Sequence, residues 1–317
     1  MRARESVRSW AKSLSNIHLN DAGKPAVIIL SAPRSGSTWL MELVLSQPGF
    51  KPCNEPFNLR KHDVVETLRL SDWAELYDQR HLTEIDAYLT SFVNGGFGVG
   101  FKNLLPHENH HRFITRRLVF KILHAGEDLI HWFADTFNAK ILFMLRHPVP
   151  VSLSRTELPR LKTLMSPPYR DNFSQQQLRM AEKIFTEGDH VEKAVLDWCL
   201  QNAVPLRKYG QDVLLITYEQ LVLKPEPIVD LLMRELELNS RDAMLDQLER
   251  PSRSTSKSTA ETVAALKEKT NKNWLVEKWK EKISREDEAR LMQIVETFEI
   301  DVYENGACTP TEAYWVR

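Results

Sequence analysis

Cysteine is scarce: Cys53, Cys199 and Cys308 are all that 317 residues contain. They are odd in number, far apart and without CxxC spacing, which excludes a disulfide framework and a cysteine-based zinc site. A reducing compartment suits such usage, so a cytoplasmic location is expected. Charge of one sign is lacking too, with a formal net charge of −1 and an isoelectric point near 6.8. A whole-surface basic field of the kind that drives nonspecific nucleic-acid binding is thereby excluded, and any anion site has to be local. Long apolar runs are missing: VIIL and ILFML are strand-sized, well short of the roughly 20 residues a membrane helix needs. The opening MRARESVRSWAKSLSNIHLN has basic residues but no apolar core of a secretory signal. Arg2, Arg4, Arg8 and Lys12 are expected on a frayed, solvated helix able to touch an acidic surface.

A chain that is 42% hydrophobic and 27% charged has ample material for a core, enough for one large domain or two modest ones. No internal repeat and no interdomain linker stand out. The reading is an extension over residues 1–24 followed by a single domain over 25–317. Apolar, β-branched runs recur at AVIIL (26–30), RLVFKIL (117–123), KILFML (140–145) and DVLLITY (212–218), separated by stretches of helical periodicity. That alternation predicts an α/β fold, a three-layer sandwich with a central parallel sheet flanked by helices. In GEDLIHWFADTFNA, Glu127 and Asp128 suit a helix's first turn while Leu129, Ile130, Phe133 and Phe137 share a face. Downstream, NWLVEKWKEKISREDEARLMQIVETFEI predicts a helix pair at the sheet's rim.

The stretch PAVIILSAPRSGSTWL (25–40) concentrates an arginine, a glycine and several hydroxyls between a buried strand and a helix. Gly36 permits backbone torsions that a side chain would forbid, and Ser37 and Thr38 start the helix. Unpaired amides and the helix dipole converge there, so the turn is a ready anion site to which Arg34, Ser35, Ser37 and Thr38 add charge and donors. The phosphate loop of ATP enzymes is GxxxxGK[ST]. Here Ser31 falls where its first glycine would be and Ser37 where the lysine would be. The missing lysine points to a phosphate-type ligand with less charge to neutralise.

PRSGSTWL (33–40) resembles the nucleotide loop of sulfotransferases that use 3′-phosphoadenosine 5′-phosphosulfate (PAPS), and RHPVPVSLSR (146–155) is similar to that family's second signature. CNEPFN (53–58) looks like the Glu-Pro-Phe stretch of bacterial and carbohydrate-type members, and VFKILH (119–124) like the strand lysine before the second signature. ITYEQLVLKP (216–225) resembles the family's Tyr-Glu-x-Leu segment, and RPSRSTSKS with WKEKIS its closing loop and last helix. The resemblance runs from about Pro25 to about Ile300. It implies a P-loop-NTPase-like fold and transfer of a sulfuryl group from PAPS to an acceptor hydroxyl, with adenosine 3′,5′-bisphosphate (PAP) as product.

That chemistry assigns roles. Arg34, Ser35, Gly36, Ser37 and Thr38 are expected at the 5′-phosphosulfate, because developing charge on the leaving oxygen needs preorganised donors, and Trp39 beside them is a further cofactor-binding candidate. Arg146 and Ser154 are implied at the 3′-phosphate, Arg146 ending a strand and Ser154 about one turn into the following helix. Lys121 is the candidate cation for the bridging oxygen, with Lys102 in GVGFKNLL second. A general base must stand near the sulfur; Glu55 is first choice, with burial expected to raise its pKa, and His124 is the rival. Arg253, Ser254 and Lys257 are candidate lid residues over the 3′ side, with a plain flexible linker as the alternative for that segment. The poorly patterned segment LPRLKTLMSPPYRDNFSQQQ (158–177) is the expected acceptor lining.

Competing readings follow from the same residues. An ATP-dependent kinase would use Glu219 as its magnesium ligand, and a noncatalytic nucleotide-binding module would keep Arg34, Arg146 and Ser154 without needing Glu55 or Lys121. His107, His110 and His111 in PHENHH have no standard zinc spacing, so a polar loop without metal is expected. Trp198, Trp274 and Trp279 are read as packing. The acceptor is expected to be a small molecule or carbohydrate bearing a hydroxyl, with no nucleic-acid partner, no transmembrane segment and room for peripheral contact.

Overall fold

The computed structural model describes residues 17–18, 23–93, 114–124, 127–210, 212–252 and 272–316. In chain order the strands are β1 (Ile17–His18), β2 (Ala26–Ser31), β3 (Phe50–Asn54), β4 (Ile114–Thr115), β5 (Arg117–Ile122), β6 (Ala139–Leu145) and β7 (Leu214–Thr217). Five form one parallel sheet in the order β3-β5-β2-β6-β7, and β1 pairs with β4 beside it. The four apolar runs become β2, β5, β6 and β7, because continuous Val, Ile, Leu and Phe suit strands covered on both faces. The fifth strand, β3, occupies FKPCN, which the sequence presents only as a proline-bounded stretch. Pro52 is tolerated because β3 is an edge strand bonded to β5 alone, where a missing N–H need not break a ladder.

Alternation along the strands sorts side chains into two cores. Ile28, Leu30, Phe120, Ile122, Ile141, Phe143 and Leu145 face one side, packed by the helix His190–Tyr209 with its fully buried Trp198. Val27, Ile29, Val119, Leu142, Met144 and Ile216 face the other, under the helix Ser37–Leu45. Lys121 has the parity of Val119, so it points to the face carrying the helix Ser37–Leu45. The expected C-terminal helix pair divides between these faces: Leu275 and Val276 of Lys272–Glu277 join the second core, while Leu291, Met292, Ile294 and Val295 of Arg285–Thr297 join the first.

Topology places the functional loops. From β2 the chain moves outward to β3, returns through β5 beside β2, and crosses to β6 on β2's other side. The crevice beyond the carboxyl ends of β5, β2 and β6 is therefore a switch point, where open α/β sheets bind ligands. Among the described residues no helix is long and apolar enough to cross a membrane.

The helix expected from Glu127 starts later, at Ile130. Glu127 is not a dipole-compensating residue. It is buried, with the Arg160 guanidinium 2.5 Å away and the Tyr77 hydroxyl donating to it. Leu161, Leu164, Tyr169 and Phe173 are buried as well, so much of 158–177, expected as irregular acceptor lining, is short helical turns set into the core. Breaking a buried ion pair leaves an uncompensated charge. Glu127→Ala is expected to lower unfolding free energy by about 3–5 kcal/mol in a denaturant titration, and Glu127→Leu/Arg160→Met to recover most of that loss.

Candidate active site

Gly36, at φ 95°, turns the chain from β2 into the helix Ser37–Leu45, and no side chain caps the helix start. The Gly36 carbonyl accepts from the Trp39 and Leu40 amides at 2.9 and 3.1 Å, which leaves the Ser37 and Thr38 amides ahead of the first intrahelical bond. A Cβ on Gly36 would lie 2.9 Å from the Tyr218 ring, so glycine is needed there for space as well as torsion. Arg34, also left-handed at φ 73°, is exposed. The Ser35 hydroxyl is buried and has no partner among the described residues. Trp39 is committed to packing: its indole N–H donates to the Arg250 carbonyl at 3.0 Å and its ring lies 6.1 Å from that of Tyr218.

Lys121 reaches from β5 to this loop. Its ammonium donates to Thr38 Oγ1 at 3.0 Å and stands 3.0 Å from Glu55 Oε1, with only 5% of its side chain exposed. Glu55 follows the last residue of β3 and extends the ladder, its N–H donating to the Lys121 carbonyl at 2.8 Å. Its φ of 53° is one that few non-glycine residues adopt. The chain just after it is held by Tyr88 Oη, donating to the Pro56 carbonyl at 2.8 Å, and Trp73 Nε1, donating to the Phe57 carbonyl at 2.8 Å. Asn58 Nδ2 donates to Glu55 Oε2 at 2.7 Å.

The electrostatics of Glu55 differ from expectation. Burial, the largest influence, does push its carboxyl upward, but the charge and hydrogen bond of Lys121 override it and hold the pKa at about 2. The sequence could not show the cation because Lys121 is remote along the chain. His124 is buried against the Trp73 ring, centroids 5.5 Å apart. Burial, reinforced by Arg160, lowers its pKa to about 3, making it a far weaker base than an ordinary histidine. The two weak bases differ in cause: Glu55 is depressed by the Lys121 ammonium against its own burial, His124 by burial itself.

On the other flank of β2, Arg146 follows β6. Its Nη1 donates to the Arg34 carbonyl at 3.3 Å, so both signature loops meet. Its guanidinium lies over the Tyr218 ring, 4.1 Å from the centroid, a favourable cation–π geometry. Ser154 lies at the end of the helix Pro148–Leu153 rather than one turn inside it, exposed, its hydroxyl donating to the Val151 carbonyl at 2.8 Å. Glu219, the alternative magnesium ligand, is buried with both oxygens engaged. Oε1 accepts the His147 N–H at 2.9 Å and Oε2 the Tyr303 hydroxyl at 2.8 Å. Among the described residues no group of three or more His, Cys, Asp or Glu is placed to hold a metal ion. Lys102, His107, His110, His111, Arg253, Ser254 and Lys257 lie outside the described residues, as do Arg2, Arg4, Arg8 and Lys12. Trp198, Trp274 and Trp279 pack as expected, Trp274 and Trp279 with Lys278 and Lys280 over their rings.

Residues 24–304 match the sequence model of the sulfotransferase domain family. The chain belongs to that family and is a sulfotransferase. Among solved structures it is similar to the sulfotransferase domain of the Synechococcus PCC 7002 olefin synthase, at 23% identity and a TM-score of 0.47, covering 92% of this chain and 98% of that one. A sulfotransferase domain from the curacin biosynthetic pathway matches at 18% identity and a TM-score of 0.45, over 88% of this chain and 98% of that one. A mouse sulfotransferase complexed with PAP matches at 16% identity and a TM-score of 0.44, over 90% and 88%. None of the curated proteins matches.

If Lys121 is what depresses Glu55, its removal should let burial dominate. In Lys121→Met the Glu55 carboxyl is expected to titrate above 4.5, whereas in the parent it stays ionised down to about pH 2; carboxyl-carbon NMR reads both. The sign for stability follows: the parent's contribution from this pair is complete above pH 4.5 and is lost as pH falls toward 2. The variant lacks that acid-side loss.

Proposed function

We propose that this chain transfers a sulfuryl group from PAPS to an acceptor hydroxyl of a small molecule or carbohydrate, with Glu55 as general base and Lys121 as the cation at the leaving oxygen. One observation carries the reading: a single buried ammonium is shared, at 3.0 Å each, between the hydroxyl of a phosphate-loop threonine and the carboxylate of Glu55, the only one within ion-pair distance of it among the described residues. It thus belongs to both halves of a transfer site.

Several features fit a doubly phosphorylated nucleotide. The buried, unpartnered Ser35 hydroxyl and the uncapped helix amides offer donors for the 5′ group, and Arg146, whose Nε has no partner among the described residues, offers a guanidinium edge for the 3′-phosphate. When bound, the donor supplies an activated sulfur whose transferred group bears one formal negative charge, which fixed donors can stabilise. Thr38 and Lys121 would meet charge developing on the bridging oxygen. As Lys121 turns toward that oxygen it stops neutralising Glu55, whose basicity rises because burial is then opposed less. Asn58 keeps Oε2 in place, leaving Oε1 to take the acceptor's proton. The cation that stabilises the leaving group therefore unmasks the base. Glu219, spent on His147 and Tyr303, is not free to serve the kinase alternative as its magnesium ligand.

Calorimetry with PAP, AMP and ATP, with and without magnesium, tests the donor. PAP is expected to bind tightest without metal, and Arg146→Ala to lose about 10- to 100-fold of PAP affinity, the value of hydrogen bonds to a charged group. Equal binding of PAP and AMP overturns the assignment. In transfer of labelled sulfate to a panel of hydroxyl acceptors, Glu55→Gln is expected to bind PAP normally and turn over about 100-fold or more slower; full activity moves the base to His124.

A further inference from the structure

The carboxyl ends of β6 and β7 are level, since Leu145 pairs with Thr217. Each strand then turns directly into a helix, Pro148–Leu153 after β6 and Tyr218–Leu223 after β7. Two consecutive residues from one turn meet two from the other. Tyr218 lies beneath the Arg146 guanidinium, and Glu219 receives the N–H of His147. The second Glu219 oxygen receives the hydroxyl of Tyr303, which follows the helix Arg285–Thr297. Around this junction His147 is fully buried, its ring stacked on Trp279 at 4.7 Å and met edge-on by Tyr303 at 5.0 Å.

A buried carboxylate whose direct partners are two neutral donors is an expensive way to stabilise a fold, because burial penalises the charge. Its placement gives it another use. The N–H it binds belongs to the residue after Arg146, so it fixes the torsions from which that side chain departs. We propose that Glu219 is a positioning residue for the 3′-phosphate: it holds the Arg146–His147 backbone, and Tyr303 holds Glu219. This rests on the reading that Arg146 meets the 3′-phosphate. A guanidinium fork recognises phosphate only within a narrow range of orientation. Tyr218 sets the height of the fork and Glu219 the direction of its stem, so the Tyr-Glu pair orients the subsite without touching the ligand.

Glutamine can replace this device and leucine cannot. In Glu219→Gln the amide oxygen accepts from His147 N–H while the NH2 group donates to the Tyr303 oxygen, which can reverse its role. The test is the ratio of AMP to PAP dissociation constants, measured by calorimetry on the full chain. Glu219→Leu is expected to lower it about tenfold or more, Tyr303→Phe about threefold, and Glu219→Gln to stay within about twofold of the parent, with AMP affinity nearly unchanged throughout. An unchanged ratio in a folded Glu219→Leu protein overturns the proposal. Should that variant fail to fold, Tyr303→Phe decides, and a parental ratio there overturns it equally. A parent protein that does not prefer PAP to AMP refutes the donor reading instead, so the two failures are distinguishable.

Discussion

The site is organised by one ammonium in a place where a charge is costly. Lys121 points from a fully buried strand toward the helix Ser37–Leu45, and its desolvation is offset by Glu55 and the Thr38 hydroxyl at 3.0 Å each. Removing either partner would leave a buried cation short of compensation, so β3, β5 and the phosphate loop are tied electrostatically as well as by packing. The left-handed torsion at Glu55 belongs to the same arrangement. Tyr88 and Trp73 hold the carbonyls of Pro56 and Phe57, and the carboxylate is thereby presented to the lysine.

The sheet order explains how such contacts arise from residues scattered along the chain. With β2 central, β5 brings Lys121 to one flank of the phosphate loop and β6 brings Arg146 to the other. The first core's helices and the second core's helices cover opposite faces, which leaves the carboxyl ends of the strands as the place where polar side chains converge. Parallel sheets concentrate chemistry there because every strand ends at the same edge and every following helix begins there.

Much of this was legible in the amino-acid order. The four apolar runs are the four inner or outer strands they resemble, Gly36 marks the tight turn, and Lys121 betrays itself as a cation among apolar neighbours. What was not legible depends on distant chain. Pro52 argues against a strand unless one knows that β3 lies at the edge. The pKa of Glu55 cannot be assigned without knowing that Lys121 faces it, and burial alone suggests the opposite direction. Glu127 looks like a first-turn acid until Arg160 closes on it. Tyr303 gives no local hint of its bond to Glu219.

The close approach of Tyr218 to Gly36 has a cost in versatility. A side chain at position 36 would press on the aromatic ring at 2.9 Å, and that ring is the seat of the Arg146 guanidinium. A shift of the first loop toward Tyr218 would therefore be passed on to the arginine that follows β6. The two loops are coupled through one tyrosine ring, and changing one means refitting the other.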